Sequence, residues 1–294
     1  MNSTLFHKSL TGTALLRLKQ VMLDNVLGAL AEDIGSGNLS GDYTAQLIPE
    51  NQQANATIIS RQTAVICGLP WAHECFIQLD KTISIDWQIQ EGDTVVPGQL
   101  IARISGHARP MLSAERCALN FLQTLSATAT ETRKFTDAIK GCKAAILDTR
   151  KTLPGLRLAQ KYAVLVGGGQ NQRLGLYDGI LIKENHISAA GGIHQALNLA
   201  HQINQNIPVQ IEVENLQDLL IAIESGAQSI LLDNFSSSDL AEAVSLNQGR
   251  AVLEASGGIG IDNVRTVALT GVDRISIGHL TKDIQAIDLS MRFE

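Results

Sequence analysis

The sequence predicts an α/β fold in which a parallel sheet curls toward a barrel. In the second half of the chain, six short apolar runs alternate with stretches of helical periodicity, which is the pattern of repeated βα units. The runs are apolar along most of their length, as expected when both faces of a parallel sheet are covered. Six units in a single order favour barrel-like closure. An open doubly wound sheet stays an alternative, because a complete barrel has more strands.

Each predicted strand is short and is followed by a turn or a helical stretch. The strands lie in AAILDT (144–149), GILIKEN (179–185), VQIEVEN (209–215), SILLDN (229–234), RAVLEASGG (250–258) and DRISIG (273–278). Helices are predicted between them at Pro154–Val166, Ile193–Ile203, Leu216–Ser225, Ser238–Leu246 and Ile261–Leu269. The units share no sequence signature, which argues against a solenoid.

The first part of the chain reads as a mixture of helices and strands. Amphipathic periodicity predicts a helix over residues 14–33, and a β-branched run predicts one strand over Ala54–Ile66. Further elements are predicted as a helix at Pro70–Leu79, strand-like pieces at Ile83–Ile89 and in 91–106, and a long helix at Ser113–Ile139 that starts with Ser-x-x-Arg.

Composition excludes several classes of protein. The 294 residues are 45% hydrophobic and carry a net charge of −6, which argues against a general nucleic-acid binder. The four cysteines have no CxxC spacing, so neither a zinc site nor a disulfide framework is expected. The N-terminal residues lack the pattern of a signal peptide, and no apolar stretch approaches the ~20 residues of a membrane helix. We therefore expect no membrane association and a cytoplasmic location.

Charge is distributed unevenly along the chain. Between Arg116 and Lys183 there are 11 Lys and Arg against 4 Asp and Glu, a local excess of +7, whereas the rest of the chain carries −13. A cationic third within an acidic protein indicates a focused site for a small polyanion. A solvated basic face is the alternative interpretation.

Polar and charged residues follow every predicted strand of the second half. The strands end in Asp148-Thr149-Arg150-Lys151, Lys183-Glu184-Asn185-His186, Glu212 with Glu214, Asp233-Asn234, Glu254 to Gly258, and Gly278-His279. One such residue alone is more often a helix cap. Because barrel active sites lie at the carboxyl ends of the strands, the repetition predicts an active site there.

The residue types suggest the chemistry of this site. Arg150, Lys151, Arg173 and Lys183 are cations suited to carboxylates and phosphates. Glu212 and Asp233 could bind sugar hydroxyls, coordinate Mg²⁺ together with a phosphate, or stabilise a cationic sugar carbon; internal ion pairs with the same bases are the alternative. The glycines that follow the last two strands leave backbone N–H groups open to phosphate.

Several long motifs resemble the quinolinate phosphoribosyltransferase family. The motifs are LSAERCALNFLQTLS (112–126), LDTRKTLPGLR (147–157), KYAVLVGGGQNQRLGLYDGILIKENH (161–186), IEVENL (211–216), LLDNF (231–235) and EASGGI (254–259). The similarity is collinear from about residue 32 to the C-terminal LSMRF. It implies an enzyme that transfers phosphoribosyl from phosphoribosyl pyrophosphate to quinolinate, with loss of carbon dioxide, in NAD biosynthesis.

The resemblance also implies a domain arrangement and partners. It implies an N-terminal α/β sandwich domain over residues 1–126, joined by 280–294, and an incomplete parallel βα barrel over 127–279. It further implies Mg²⁺ as a cofactor and a homodimer, or a higher oligomer, whose active sites are shared between subunits.

The resemblance assigns roles to residues by motif position. The catalytic residues are expected to be Lys151, Glu212 and Asp233, the last two also holding the metal directly or through substrate or water. The substrate-binding residues are expected to be Arg116 (from the partner subunit), Thr149, Arg150, Lys151, Arg173, Lys183, Glu212, Asp233, Ser256, Gly257, Gly258, Ile277, Gly278 and His279. One departure is Gln172, where the family usually has histidine; glutamine forms hydrogen bonds but cannot become a cation.

Two other functions remain open from the sequence. One is a related transferase that acts on nicotinate or another aromatic acid; the number of cations favours a dicarboxylate. The other is a non-catalytic binding protein on the same scaffold, which would have no need of Glu212 and Asp233 together.

Overall fold

The computed structural model describes residues 5–8, 11–35 and 39–294. The chain forms two compact units, the first made of Met1–Glu131, Leu153–Gly168 and Asp283–Glu294, and the second of Thr132–Thr152 and Gly169–Lys282. The segment Leu153–Gly168 therefore belongs to the first unit, although it lies inside the continuous range expected for the barrel. Within the described ranges, no helix combines the length and the apolar character needed to cross a membrane.

Antiparallel strands and four α-helices form the described part of the first unit. Its strands are β1 (Gln53–Ser60), β2 (Ala64–Val65), β3 (Ser84–Trp87), β4 (Thr94–Val95), β5 (Leu100–His107) and β12 (Leu289–Phe293), and its helices are α1 (Gly12–Ile34), α2 (Leu69–Leu79), α3 (Ala108–Ala138, which continues into the second unit) and α4 (Arg157–Val166). The main sheet has the order β12-β1-β5-β3, and β2 pairs with β4. The core of this unit includes Ile58, Trp71 and Phe76, all fully buried.

Two predictions for the first unit were wrong in detail. Ala54–Ile66 is two strands, because β1 ends at Ser60 and the chain turns before β2. Helix α3 starts at Ala108, five residues before the predicted Ser113. Proline at position 110 is compatible with this earlier start, since the N–H groups of the first helical turn have no partner within the helix.

Six parallel strands form the sheet of the second unit, which confirms the predicted βα architecture. The strands are β6 (Ala145–Leu147), β7 (Ile180–Ile182), β8 (Val209–Val213), β9 (Ser229–Asp233), β10 (Val252–Ser256) and β11 (Arg274–Ser276), in the order β6-β11-β10-β9-β8-β7. The helices are α5 (Glu184–Ala190), α6 (Ile193–Ile203), α7 (Leu216–Glu224), α8 (Ser237–Asn247), α9 (Val264–Leu269) and α10 (His279–Lys282). Helices α5 and α10 were not predicted, and both are short.

Side chains alternate across this sheet, and the two faces differ in chemistry. Ile211 and Val213 of β8 join the apolar core, whereas Gln210 and Glu212 point to the opposite face of the same strand because successive strand residues alternate. Glu254 of β10 is also fully buried. Since all strands are parallel, their carboxyl ends meet at one edge of the sheet, as the sequence pattern requires.

Candidate active site

An ion pair joins the ends of β7 and β8. Lys183 Nζ lies 2.9 Å from Glu212 Oε1 and 2.7 Å from Oε2. The pairing of Ile182 with Ile211 in the sheet brings the next residues of the two strands side by side. The Glu212 side chain is 8% exposed, so the lysine ammonium is a partner for a carboxylate that has lost contact with water. The internal ion pair that the sequence analysis gave as the alternative role of Glu212 is therefore present.

Three predicted cations line one cavity at the β7 edge of the sheet. Arg150, Arg173 and Lys183 share a cavity of about 450 Å³ with the apolar residues of β7 and of α6. Burial, together with the charge of Arg150, lowers the pKa of Arg173, an effect that Asp178 opposes. A cavity with cations on apolar walls suits a flat aromatic acid, since the ring can contact apolar atoms while its carboxylates meet the cations.

The loop that carries Arg173 is held by hydrogen bonds at both ends. Asp148, fully buried after β6, accepts from Asn171 Nδ2 at 2.6 Å and from the backbone N of Gln172 at 2.9 Å. At the far end, Asp178 accepts from two backbone N–H groups of the loop at 2.7 and 2.9 Å. Arg173 Nη1 donates to the carbonyl of Gly179 at 2.9 Å. The guanidinium is therefore positioned before any substrate arrives.

The ends of β9 and β10 interlock through their backbones. Asn234 has a φ of 58° and donates from Nδ2 to Asp233 at 2.9 Å and from its backbone N to Ser256 at 2.9 Å. Gly257 has a φ of 91°, and a Cβ at this position would lie 2.9 Å from the Asn234 backbone N. Glycine is required here because both the backbone angle and the close approach exclude a side chain. Asp233 does not line the cavity of Arg173, but lies further along the same edge of the sheet.

The ends of β6 and β11 bring Lys151 to Gly278. A Cβ on Gly278 would lie 2.9 Å from Lys151 Cδ, so the lysine side chain crosses the position that the glycine leaves open. The Lys151 carbonyl accepts from Thr281 Oγ1 at 2.7 Å, and its backbone N donates to Thr149 Oγ1 at 3.1 Å. Ile277 is buried in the core, which leaves its backbone as the part available to a ligand.

Two histidines near this edge have structural contacts. The His279 ring packs against Phe135 with ring centroids 4.9 Å apart. His186 Nδ1 accepts from the backbone N of Lys183 at 3.0 Å, so this ring caps helix α5 and orients the lysine. A capping role is what a single polar residue after a strand usually has.

Arg116 lies in the first unit, unlike the other predicted site residues. It lines a separate cavity of about 270 Å³ together with Glu32, Asp33 and Asn120. The rest of the predicted set belongs to the second unit, where the strand ends gather it along one edge.

Two polar residues hold the Arg173 loop in place; the sequence placed Asp148 at a strand end without a role, and it gave no prediction for Gln210. Asp148 anchors the Arg173 loop, and Gln210 connects that loop to the interior of the sheet at 2.7 Å from Gln172. The available signal was the pair Gln210 and Glu212, two polar residues at alternate positions of a buried strand. Such residues share one face and need partners when they are buried.

The chain matches known proteins along most of its length. The family model for the quinolinate phosphoribosyl transferase N-terminal domain matches residues 42–126, and that for the C-terminal domain matches residues 128–292. A quinolinate phosphoribosyltransferase [decarboxylating] of Nicotiana glauca is 38% identical over 286 residues, covering 90% of this chain and 80% of the relative. A probable nicotinate-nucleotide pyrophosphorylase [carboxylating] of Bacillus subtilis is 39% identical, covering 88% and 89%.

A solved structure shows the same likeness in three dimensions. The nicotinate-nucleotide pyrophosphorylase from Francisella tularensis superimposes with a TM-score of 0.90 at 45% sequence identity, covering 94% of this chain and 97% of that chain. Both domain models, the full-length relatives and the structural match agree with the motif resemblance, and the chain belongs to the quinolinate phosphoribosyltransferase family.

Proposed function

We propose that this chain transfers phosphoribosyl from phosphoribosyl pyrophosphate to quinolinate, releasing pyrophosphate and carbon dioxide and giving nicotinate mononucleotide for NAD biosynthesis. The observation that carries the proposal is the cavity lined by Arg150, Arg173 and Lys183 in a chain that both family domain models match. Three cations exceed what a monocarboxylate needs and suit the two carboxylates of quinolinate.

The cations bind and orient the pyridine ring. Arg150 and Arg173 can each donate two parallel hydrogen bonds to a carboxylate, while Lys183 acts as a point charge whose position Glu212 maintains. The ring nitrogen then faces the anomeric carbon of the sugar, to which it donates its electron pair as the C–O bond to pyrophosphate breaks. Fixing the two reactants side by side removes much of the entropic barrier of a bimolecular step.

Carboxylates and backbone groups serve the sugar and the phosphates. Glu212 and Asp233 stabilise positive charge on the anomeric carbon as pyrophosphate leaves, by analogy with glycoside chemistry. Lys151 and the backbone N–H groups of Ser256-Gly257-Gly258 and of Gly278-His279 bind phosphate oxygens. The alkylated ring is a pyridinium, which accepts the electron pair of the adjacent C–carboxylate bond as carbon dioxide departs. A proton from water then occupies that ring carbon.

Magnesium is part of the proposal as a partner of the donor substrate. Among the described residues, no group of three or more His, Cys, Asp or Glu side chains is arranged to hold a metal ion. This agrees with the usual behaviour of Mg²⁺, which is bound by one or two carboxylates plus substrate phosphates and water. Asp233, partly exposed at the end of β9, fits that role, whereas Glu212 has both oxygens against Lys183 Nζ and would act through substrate or water. The ion when bound would neutralise charge on the departing pyrophosphate.

Assembly and location complete the proposal. We expect a homodimer or a higher oligomer, in which Arg116 contributes to the site of the partner subunit, and a cytoplasmic location. The proposed role of Arg116 in the partner's site is supported by its motif position and by its separation in sequence from the strand ends. A two-fold arrangement offers such a residue a route to a site outside its own unit.

One assay tests the activity. The purified protein is incubated with phosphoribosyl pyrophosphate, Mg²⁺ and either quinolinate or nicotinate, and the mononucleotide and carbon dioxide are measured. We expect kcat/KM for quinolinate to exceed that for nicotinate by about 100-fold or more, since nicotinate offers the cations of the cavity one carboxylate instead of two. Equal kcat/KM for the two acids, or no product from quinolinate, would contradict the proposal.

A further inference from the structure

A chain of side-chain amides runs beneath the Arg173 loop and ends at a buried carboxyl. The Gln172 amide donates from Nε2 to Gln210 Oε1 at 2.7 Å, and Gln210 Nε2 donates to Glu254 Oε2 at 3.0 Å. In the other direction, Gln172 Oε1 accepts from the backbone N of Arg173 at 2.6 Å. This chain of hydrogen-bonded side chains therefore joins the backbone of Arg173, a predicted quinolinate-binding residue, to the interior of the sheet.

The orientation of each amide in this chain is determined by its neighbours. Rotating the Gln172 amide by half a turn would bring its NH₂ group against the Arg173 N–H and its oxygen against the Gln210 oxygen. Both contacts are repulsive, so one orientation is strongly preferred. Gln210 is 7% exposed and Glu254 is fully buried. Because water cannot replace a lost partner there, each hydrogen bond is costly to break.

The acceptor at the end of the chain does not depend on ionisation. Burial raises the pKa of Glu254, an effect that Gln210, Ser276 and the charge of Arg274 oppose. A carboxyl oxygen accepts from an amide N–H in both the neutral and the ionised form. The amides themselves do not titrate, so the chain persists across the pH range in which an imidazole at residue 172 would change its charge.

The Arg173 guanidinium needs such support. Arg150 lines the same cavity, and its charge contributes to the lowered pKa of Arg173. Two like charges repel each other, and this repulsion acts until a dianionic ligand binds between them. The contact from Arg173 Nη1 to the Gly179 carbonyl holds the far end of the side chain. Asp148 and Asp178 accept from the backbone N–H groups on either side of Arg173, and Gln172 Oε1 is the acceptor for the N–H of Arg173 itself.

We propose that Gln172, through Gln210 and Glu254, is a positioning residue that holds the backbone of Arg173 so that its guanidinium meets the pyridine dicarboxylate. The inference rests on the proposed function, since it concerns binding of that substrate. It gives Gln172 a role that requires a neutral donor and acceptor. It also predicts that loss of the chain weakens binding of the acid and leaves binding of the phosphoribosyl donor unchanged.

The test uses Gln172→Leu, which keeps the approximate size of a half-buried side chain and removes both hydrogen bonds. KM for quinolinate should rise about tenfold, with kcat and KM for phosphoribosyl pyrophosphate within about twofold of the wild type. Gln210→Leu should give a similar change. The double variant should be no worse than the more affected single variant, because both substitutions interrupt the same chain.

Two further variants separate positioning from general stability. Glu254→Gln retains an acceptor for Gln210 and should keep KM for quinolinate within about twofold. Asn247→Ala removes two hydrogen bonds to Ala251, at the amino end of β10. It should lower the melting temperature without changing either KM. Gln172→Glu keeps the acceptor for the Arg173 N–H but cannot donate to Gln210, and should raise KM for quinolinate if the whole chain matters.

Several outcomes would overturn the inference. These are an unchanged KM for quinolinate in folded Gln172→Leu or Gln172→Glu, an equal rise in KM for both substrates, and additive effects in the double variant. A wild-type protein that does not convert quinolinate would instead refute the proposed function, and direct binding of quinolinate to each variant would still test the positioning role.

Discussion

Replacing Glu91 with glutamine should stabilise the protein at pH 8 and change its stability little at pH 5. In the first unit, Glu91 Oε1 accepts from the backbone N of Gly68 at 2.8 Å and of Leu69 at 2.6 Å, where α2 begins. Burial of this carboxyl raises its pKa from 4.5 to about 7, although the hydrogen bonds from Leu69, Cys67, Gly68 and Tyr162 oppose the shift.

The sign of the effect follows from proton binding. Between pH 4.5 and about 7 the folded protein retains a proton on Glu91 that the unfolded chain has lost. The stabilisation that this proton provides is therefore fully present below the pKa of Glu91 in the unfolded chain. It is lost as the pH rises through the pKa of Glu91 in the folded protein. This difference between the folded and unfolded pKa corresponds to roughly 3 kcal/mol of unfolding free energy, at 1.36 kcal/mol for each pKa unit. Glutamine keeps the acceptor oxygen and has no proton to lose.

The measurement is urea unfolding of wild type and Glu91→Gln at several pH values from 5 to 8. The free energy of unfolding of the wild type should decrease relative to the variant by about 2–3 kcal/mol across this range. Glu74→Gln is the matched control, since Glu74 is also buried but its partner is the Gln78 side chain at 2.6 Å. Parallel pH profiles for wild type and Glu91→Gln would refute the reasoning.

Three other predictions concern the site. Lys183→Ala leaves the Glu212 carboxylate buried without its partner, so it should lower kcat/KM for quinolinate by about 100-fold and also lower the melting temperature. An unchanged kcat/KM in steady-state kinetics would contradict this prediction. Gly257→Ala brings a Cβ against Asn234 and strains the backbone at a φ of 91°, so it should cost about 1–3 kcal/mol in urea unfolding and reduce kcat. Mixing inactive Arg116→Ala with inactive Lys183→Ala should restore about a quarter of wild-type activity if Arg116 serves the partner's site; no recovery after confirmed subunit exchange would place its role in its own subunit.

The sequence alone predicted much of the second unit. All six strands were located, because a parallel strand covered on both faces is a short apolar run that a turn or helix interrupts. The residues at their ends followed directly, since parallel strands bring their carboxyl ends to one edge. Helix α6 was predicted with the observed bounds, Ile193–Ile203, from its amphipathic period.

Predictions were less accurate where the local sequence is compatible with more than one structure. The β-branched run Ala54–Ile66 predicted one strand, but the turn after Ser60 divides it because β2 pairs with β4 and not with the main sheet. The start of α3 at Ala108 was missed because a proline in the first turn looks like a break, although it is tolerated there.

The order of elements, the family and the set of chemical groups at the strand ends can all be read from the sequence. These depend on periodicity and on residue type, which are properties of neighbouring positions in the chain. Which of those groups meet depends on the folded structure. Lys183 pairs with Glu212, and Gln172 is joined to Glu254 through Gln210, across 82 residues of chain from the first residue to the last. Such contacts depend on strand order and register, which no local pattern specifies, because hydrogen-bonding partners are chosen by proximity in space.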